Sequence, residues 1–388
     1  MEQRPFEIEH IDPLGQGVSK KSKITFIEKT LPGEIGQATI YKEAKGVSFG
    51  FIKNADDIEL ESKDRVAPEC PHYWECPGCQ YLHTTYENEI LFKKQSLERH
   101  LLPLTNSLPE SIEVTLHFAI RRLQYRNRVQ LHYNLPKKKL ALKNTQLNEI
   151  IEIPDCKILD SKTENELQSL YNGKKWLELI KKSFPSSAPK KGHIEIYNKD
   201  KDSPSIAVNK PYSHLGFSQV FEEMNLKLKK FLTEKAESLL ENSNKNIILD
   251  LFGGNGNLTR QLRTPVIVID SCQINDHSLS PYQTFHKKNL YQKNILQDLV
   301  ALTKNKKVEG MIIDPPRAGI KGLEKWAEYF KPNFLFFISC NPSVLKRDLA
   351  PIIKIGYKLN EIHLFDLFPS TQHYETVVLL TKPNDLPK

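Results

Sequence analysis

The chain has 388 residues, with 55 Lys and Arg against 47 Asp and Glu for a formal net charge of +8, and 39% of its residues are hydrophobic. That length suits two or three domains with cores of their own and excludes a disulfide-stapled miniprotein. The longest apolar runs, such as 334–338, stop far short of the roughly 20 residues of a membrane span. The start MEQRPFEIEH lacks a basic-then-apolar secretory pattern, so the cytoplasm is the expected location.

Residues 5 to about 60 alternate β-like runs (23–27, 34–41 and 46–53) with turns such as Leu31-Pro32-Gly33, which predicts a small β-barrel. A cysteine-rich knot follows at 70–79, then helical spacing from Tyr86 to Leu102 through Ile90, Leu91, Leu97 and Leu101. From Val114 to Asn148 the charges are all positive: Arg121, Arg122, Arg126, Arg128, Lys137, Lys138, Lys139 and Lys143 meet no Asp or Glu. Tyr125, Gln124 and Asn127 are interleaved with the arginines, and Val129–Tyr133 alternates like a half-exposed strand. Cations for phosphate with rings and amides for unstacked bases make a nucleic-acid surface; a solvated basic face is the alternative. A mixed segment with loops at 184–189 and 199–204 runs to about residue 212, and no internal repeat is found.

After Asn246 short apolar runs alternate with amphipathic stretches, at 247–249, 266–269, 311–313, 334–338, 362–365 and 376–380. This is the pattern of a doubly wound α/β sheet, whose ligands bind beyond the carboxyl ends of its strands. Asp250, Asp270, Asp314 and Cys340 stand at those ends. Asp250-Leu-Phe-Gly-Gly-Asn-Gly-Asn257 places a Gly-rich turn after a strand and before a helical run. Thr259 occupies the position where dinucleotide binding wants a third Gly, and Asp270 is placed to accept ribose hydroxyls, a combination that fits S-adenosylmethionine better than NAD.

Cys340 in Ser339-Cys-Asn-Pro342 and Glu375 beside the apolar 377–380 suit methylation of a pyrimidine carbon. Uracil C5 is a poor nucleophile. A thiolate adding to C6 makes an enolate whose C5 attacks a methyl sulfonium, a base removes the C5 proton, and the thiol leaves. A buried structural thiol and a surface Glu are the bland readings of the two residues. A base within folded RNA must be unstacked before a thiolate can reach it.

Four further cysteines, Cys70-x5-Cys76-x2-Cys79 with Cys156 downstream, have the spacing of zinc or iron–sulfur ligands. Spacing alone puts zinc first, then iron–sulfur, then unliganded core thiols. Cys272 lies outside both sets and is read as structural.

Asp250–Asn257, Asp314-Pro-Pro-Arg-Ala-Gly319, Ser339–Pro342 and Phe368-Pro-Ser-Thr-Gln-His-Tyr-Glu375 together resemble, in order, the motifs of the RNA (uracil-5-)methyltransferase family. Asp12-Pro-Leu-Gly-Gln-Gly17 with Leu31-Pro-Gly33 resembles the TRAM domain, an OB-like RNA-binding barrel. The resemblance implies Cys340 as nucleophile and Glu375 as base. It also implies Gln219, Phe252, Asn257, Asp270, Asn289 and Asp314 at the cofactor, with Asp314 beside the target base and Gln219 near both ligands. Gly253 departs from the Cys common at its position, and Phe221 from the Asn that commonly follows Gln-x; the first is expected to leave the loop intact. Members acting on ribosomal RNA hold a [4Fe-4S] cluster with the spacing of Cys70, Cys76, Cys79 and Cys156, which reverses the preference for zinc and implies a structural clamp.

The implied architecture is a Rossmann-like class I methyltransferase domain (83–113 and 213–388), an N-terminal TRAM barrel (1–62) and a small α+β iron–sulfur and RNA-binding domain (63–82 and 114–212). The implied activity is S-adenosylmethionine-dependent methylation of C5 of a uridine in structured RNA, 23S rRNA ahead of tRNA, with no membrane and no obligate protein partner. Rival readings are a catalytically silent RNA-binding or assembly protein, a cytosine-5 RNA methyltransferase, which would usually carry a second Cys after the Asp314 strand, and, last, an NAD oxidoreductase.

Overall fold

The computed structural model describes residues 2–21, 23–105, 111–144, 149–198, 203–211, 219–240, 246–272, 279–304 and 306–382. The chain divides into two units, one of Met1–Ser96, Ala119–His214 and Phe368–Gln372, the other of Leu97–Phe118, Leu215–Leu367 and His373–Lys388.

The first unit begins with the strands β1 (Glu2–Ile11), β2 (Gln16–Ser19), β3 (Ile24–Glu28), β4 (Ile35–Ala44), β5 (Val47–Phe51) and β6 (Ile58–Leu60). Their order is β1-β2-β3-β5-β4-β6, and β1 also pairs with β4, so five strands close into a barrel with β6 added outside β4. Closure removes the free edges that an open sheet of this size would expose. Alternation is the cause: Phe6, Ile8, Ile27, Ala38 and Ile52 point inward and are buried, each large side chain contributing roughly 1.5–3 kcal/mol.

A second sheet in this unit has the order β10-β9-β8-β11-β12, all antiparallel. Its strands are β8 (Arg128–Asn134), β9 (Lys139–Asn144), β10 (Glu149–Ile151), β11 (Lys191–Tyr197) and β12 (Ser205–Val208). Helices α2 (Ser161–Tyr171) and α3 (Lys175–Ser183) place Leu167, Leu170, Trp176 and Ile180 against Leu131, Ile194 and Ile196. Asp160 caps α2 by accepting from Thr163 N at 2.8 Å, a contribution of about 1 kcal/mol. The segment Phe368–Gln372 is held here too: Ser370 O accepts from Gln80 N (2.8 Å) and Tyr81 N (3.1 Å), and Ser370 N donates to Glu89 Oε1 (2.7 Å).

The second unit is built on an eight-stranded sheet, β15-β14-β13-β16-β17-β19-β18-β7. The strands are β7 (Val114–His117), β13 (Asn246–Leu251), β14 (Val266–Asp270), β15 (Gln283–Lys287), β16 (Lys307–Ile313), β17 (Phe334–Ser339), β18 (Lys358–Phe365) and β19 (Glu375–Thr381). β15, β14, β13, β16 and β17 are parallel; β19 is antiparallel to both its neighbours and lies between β17 and β18. The helices are α1 (Tyr86–Thr105), whose later part belongs to this unit, α4 (Glu222–Leu239), α5 (Ile295–Thr303), α6 (Leu323–Phe330) and α7 (Pro342–Lys354). Central strands are buried along their length apart from Lys307 at the start of β16, which is why they read as apolar runs.

Two expectations are corrected. Residues 254–261 form successive turns rather than a helical run, because Gly254 (φ +51°) and Gly256 (φ +67°) leave the helical region. Cys272 is exposed where the chain leaves β14, so it is no core residue. Among the described residues no helix is long and apolar enough to cross a membrane.

Candidate active site

Parallel β13, β16 and β17 end at one rim, and antiparallel β19 begins there. The register pairs Ser339 with Thr376, so the next residues, Cys340 and Glu375, face each other across the β17–β19 ladder. Cys340 is half-buried, and Glu375 is 7% exposed. Burial, followed by the charge of Glu375, pushes the Cys340 thiol up to about 11, while Arg317 opposes the shift by charge and by a hydrogen bond to the sulfur. Burial and then Asp314 push the Glu375 carboxyl well above its ordinary range, again opposed by Arg317. Glu375 Oε2 has no hydrogen-bond partner among the described residues. A buried acceptor of this kind is costly unless a ligand supplies a proton or donor.

Arg317 therefore acts on both groups. Its position follows from α7: Asn341 caps that helix by accepting from Ser343 N (3.1 Å) and Ser343 Oγ (2.7 Å), while its Nδ2 donates to Arg317 O (2.9 Å). Pro342 starts the helix without needing a donor. The Arg317 guanidinium also lies 3.3–3.4 Å from the ring nitrogens of His373. Sequence reasoning quoted Arg317 within a motif but gave it no task; a cation three residues after a rim Asp was the available signal.

The loop after Arg317 turns at Gly319, where φ is +70° and an added Cβ would sit 2.0 Å from Asp348 Oδ2 and 2.4 Å from Arg347 Nη2. Those two side chains clamp the loop: Arg347 Nη2 donates to Ala318 O (2.6 Å) and Asp348 Oδ2 accepts from Ile320 N (2.9 Å). Gly319→Ala is expected to lower stability by about 2–3 kcal/mol, from positive φ and displacement of the clamp. Thermal unfolding checks it, and a melting temperature within 1 °C of the parent would count against the clamp.

On the other side of the rim, Asp250 is buried at the end of β13 and accepts from Thr259 Oγ1 at 2.6 Å. Gln283 Nε2 donates to Thr259 Oγ1 and to Gly256 O, both at 2.8 Å. Thr259 thus fills by hydrogen bonding the space a third Gly would leave open. Gly253 is a close approach as well: a Cβ there would meet Asp250 Oδ1 at 2.6 Å, so a Cys at this position would displace the Asp250 carboxylate. Asp270 holds the loop from β14 by accepting from Gly254 N (3.1 Å) and Cys272 N (2.9 Å). Phe252 has φ +62° and its ring is 5.4 Å from that of Tyr291; Asn257 exchanges hydrogen bonds with Asn225 of α4. Asn289 is exposed, its side chain accepting from Tyr291 N (3.0 Å). Gln219 is half-buried just before α4, with 216–218 of its motif outside the described residues, and Phe221 is a buried residue at the start of α4. No sequence signal marked Gln283, Asn225 or Tyr291.

Asp250 and Asp314 are both raised to about 7, by burial first and then by neighbouring carboxylates. A carboxyl raised on folding binds protons that the unfolded chain releases. Its stabilisation is full below the unfolded value near 4 and is lost as pH rises through about 7. The ligand-free protein is expected to melt at a lower temperature at pH 8 than at pH 5.5, with Asp250→Asn flattening the slope. A variant with the parent's slope would contradict this.

In the first unit Cys70, Cys76, Cys79 and Cys156 are half-buried free thiols. Burial raises all four; in addition Cys79 is raised by the other three, and Cys156 by Cys76 and Cys70, so they lie within each other's field. Three of the sulfurs accept backbone N–H groups: Cys70 from His72 and Lys157, Cys76 from Gly78, Cys156 from Ile158. Lys29 Nζ donates to the carbonyls of Trp74 (2.9 Å) and Cys76 (3.2 Å), and His72 bonds Asp155 next to Cys156. Among the described residues no three His, Cys, Asp or Glu side chains are set to grip a metal ion. The donor set nonetheless suits a thiolate-bound group, since N–H···S bonds and a nearby cation stabilise bound thiolates.

The second unit is thus a parallel nucleotide-type sheet with one antiparallel strand, β19, between β17 and β18, and an acidic rim carrying a thiol. The sequence model described as tRNA (Uracil-5-)-methyltransferase matches residues 283–383. The 23S rRNA (uracil(1939)-C(5))-methyltransferase RlmD of Shewanella woodyi is 26% identical over 96% of this chain and 94% of its own. RlmD of Shewanella sediminis is 27% identical over the same shares. The crystal structure of Pyrococcus abyssi tRNA (uracil-54, C5)-methyltransferase in complex with S-adenosyl-L-homocysteine is 19% identical, superposes with a TM-score of 0.66, and covers 97% of this chain and 100% of that one. Over nearly its whole length the chain is thus similar to 23S rRNA (uracil-C(5))-methyltransferases, and over residues 283–383 it matches the tRNA (Uracil-5-)-methyltransferase model.

Proposed function

We propose that this protein methylates C5 of a uridine in 23S ribosomal RNA, in the cytoplasm, using S-adenosylmethionine. The observation that carries the reading is Cys340 facing Glu375 across the rim, beside Asp314 and under the influence of Arg317. Similarity to RlmD over nearly the whole of both chains supports the ribosomal substrate.

Cys340 adds its sulfur to uracil C6, and Arg317 stabilises the thiolate that does so. Asp270, Phe252 and Asn257 at the Gly loop would hold S-adenosylmethionine, which would supply an electrophilic methyl group. Glu375, whose ionised form burial disfavours, must be ionised when it accepts the C5 proton; the C6–sulfur bond then breaks and Cys340 is released. Asp270, fixed by two backbone N–H groups, keeps lone pairs for ribose hydroxyls, and Asp314, Asp250, Phe252, Asn257, Asn289 and Gln219 line or support the cofactor side. The acidic rim favours a cationic sulfonium over the neutral thioether product. The test is methyl-labelled S-adenosylmethionine with unmodified 23S rRNA or tRNA, followed by digestion to nucleosides. Label in 5-methyluridine from 23S rRNA is expected. Label from tRNA alone, or in 5-methylcytidine, would overturn it.

The domain reading is an RNA-binding barrel, a central cysteine-bearing domain and a methyltransferase domain. Cys70, Cys76, Cys79 and Cys156 would hold a [4Fe-4S] cluster that joins the 70–79 knot to residue 156 without taking part in methyl transfer. What supports this is the mutual field of the four sulfurs and their N–H donors. Protein purified without oxygen is expected to carry about four iron and four sulfide per chain and to lose them in Cys156→Ser. Zinc in place of iron would contradict it.

A further inference from the structure

We infer that the first unit carries a track for an unpaired RNA strand, with bases stacked on the outer face of the barrel and the backbone crossing a basic cleft of the second sheet. The inference rests on RNA being the substrate and specifies which part of it this unit takes.

On adjacent strands β3, β5 and β4, the residues Thr25, Ile27, Ser48 and Gly50 point into the barrel, so Phe26, Phe49, Phe51 and Tyr41 face outward and are only half-buried. Their rings are contiguous: Phe26 and Phe49 stack at 5.4 Å and 19°, and Tyr41 lies 6.5 Å from Phe49 and 6.2 Å from Phe51. Lys42 Nζ sits 5.3 Å from the Phe49 centroid. Four rings on the solvent side of a closed barrel add nothing to its core. They present π faces of the size a base covers, with a cation at hand for the connecting phosphate.

Tyr41 and Phe51 continue into a groove of about 610 Å³ whose other wall includes Trp74 and Lys139. Its carboxylates, Glu28, Glu75, Glu149 and Glu152, repel phosphate but accept hydrogen bonds from exocyclic base amines, so bases suit this groove better than backbone. Lys139, Glu149 and Ile150 are shared with a second, more open cleft of about 1020 Å³ over β8, β9 and β11. There the balance reverses: Lys137, Lys139, Lys143, Lys191, His132 and His193 meet Glu149 as the single carboxylate on the lining. Lys191 and His193 come from β11, outside the basic stretch visible in the sequence, and pairing of Gly192 with Tyr133 brings them beside it. A platform for bases and a cleft for phosphates, joined by shared residues, fits a single strand; a duplex would present no free π face to the rings.

The test uses the full-length protein and a labelled 12-nucleotide unpaired oligoribonucleotide, with the same sequence as a duplex, at several salt concentrations. Tyr41→Leu with Phe49→Leu, which keeps apolar bulk, is expected to weaken single-strand binding about tenfold with an unchanged salt slope. Lys143→Gln with Lys191→Gln is expected to weaken it and to reduce the slope by about 0.7 per lysine. Phe49→Tyr keeps the ring and is expected to bind as the parent does; loss in Phe49→Tyr equal to that in the leucine variant would overturn the platform. So would binding within twofold of the parent in the leucine variant, or duplex binding as tight as single-strand binding. If the parent methylates 23S rRNA while the oligonucleotide ignores these substitutions, the track falls and the activity stands. If binding responds as expected and no RNA is methylated, the activity falls and the track stands.

Discussion

Cys340→Ala is expected to lose methyl transfer by roughly 10⁴-fold or more, because the variant has no thiol facing Glu375 to add to C6. RNA affinity should stay within a few-fold of the parent, since the thiol contributes little binding area. The discriminating readout is covalent. RNA carrying 5-fluorouridine at the target, whose C5 holds no removable proton, should leave the parent attached to RNA on a denaturing gel and the alanine variant free. An adduct that survives in Cys340→Ala would assign the nucleophile elsewhere. The reaction should also speed up with rising pH between 6.5 and 8.5, because burial and Glu375 push the Cys340 thiol up to about 11 and leave little thiolate at neutrality.

The second large effect is expected in Glu375→Gln. The amide cannot accept the C5 proton, so turnover should fall by about 10²–10⁴-fold, and unmodified RNA should now accumulate as a methylated covalent complex bound through Cys340. The two variants therefore separate: one never forms the adduct, the other cannot resolve it, and the double variant should behave like Cys340→Ala. Removing the Glu375 carboxyl also removes the neighbouring charge that most raises the thiol, so the adduct in Glu375→Gln should form at a lower pH than in the parent. Fast resolution of the adduct by Glu375→Gln would show that another base takes the proton.

Legibility in the sequence followed the strength of local patterns. The buried strands of the second unit are continuous apolar runs, and each predicted run lies in a strand, with Cys340, Asp314 and Asp250 at the ends where a parallel sheet must leave them. The edge strands β7 and β15 went unread because β7 is only four residues long and β15 carries a single apolar residue, Phe285. The Gly loop was read correctly as a close approach, yet its glycines end helical geometry instead of starting it. What could not be read was long-range: Gln283 reaching Thr259, Asn341 holding the Arg317 carbonyl, and Lys191 joining the basic cleft all depend on strand order or helix placement. Charge composition located basic residues but not the aromatic face, because outward alternation on β3, β4 and β5 becomes visible only once the barrel closes.

The measurement that bears most directly on the central claim is release of tritium from 23S rRNA whose uridines carry tritium at C5. With S-adenosylmethionine present, one tritium should appear in water for each methyl group incorporated, and none should appear with Cys340→Ala. Methyl incorporation without tritium release would put the methyl on another atom and contradict the account of Cys340 and Glu375 as nucleophile and base.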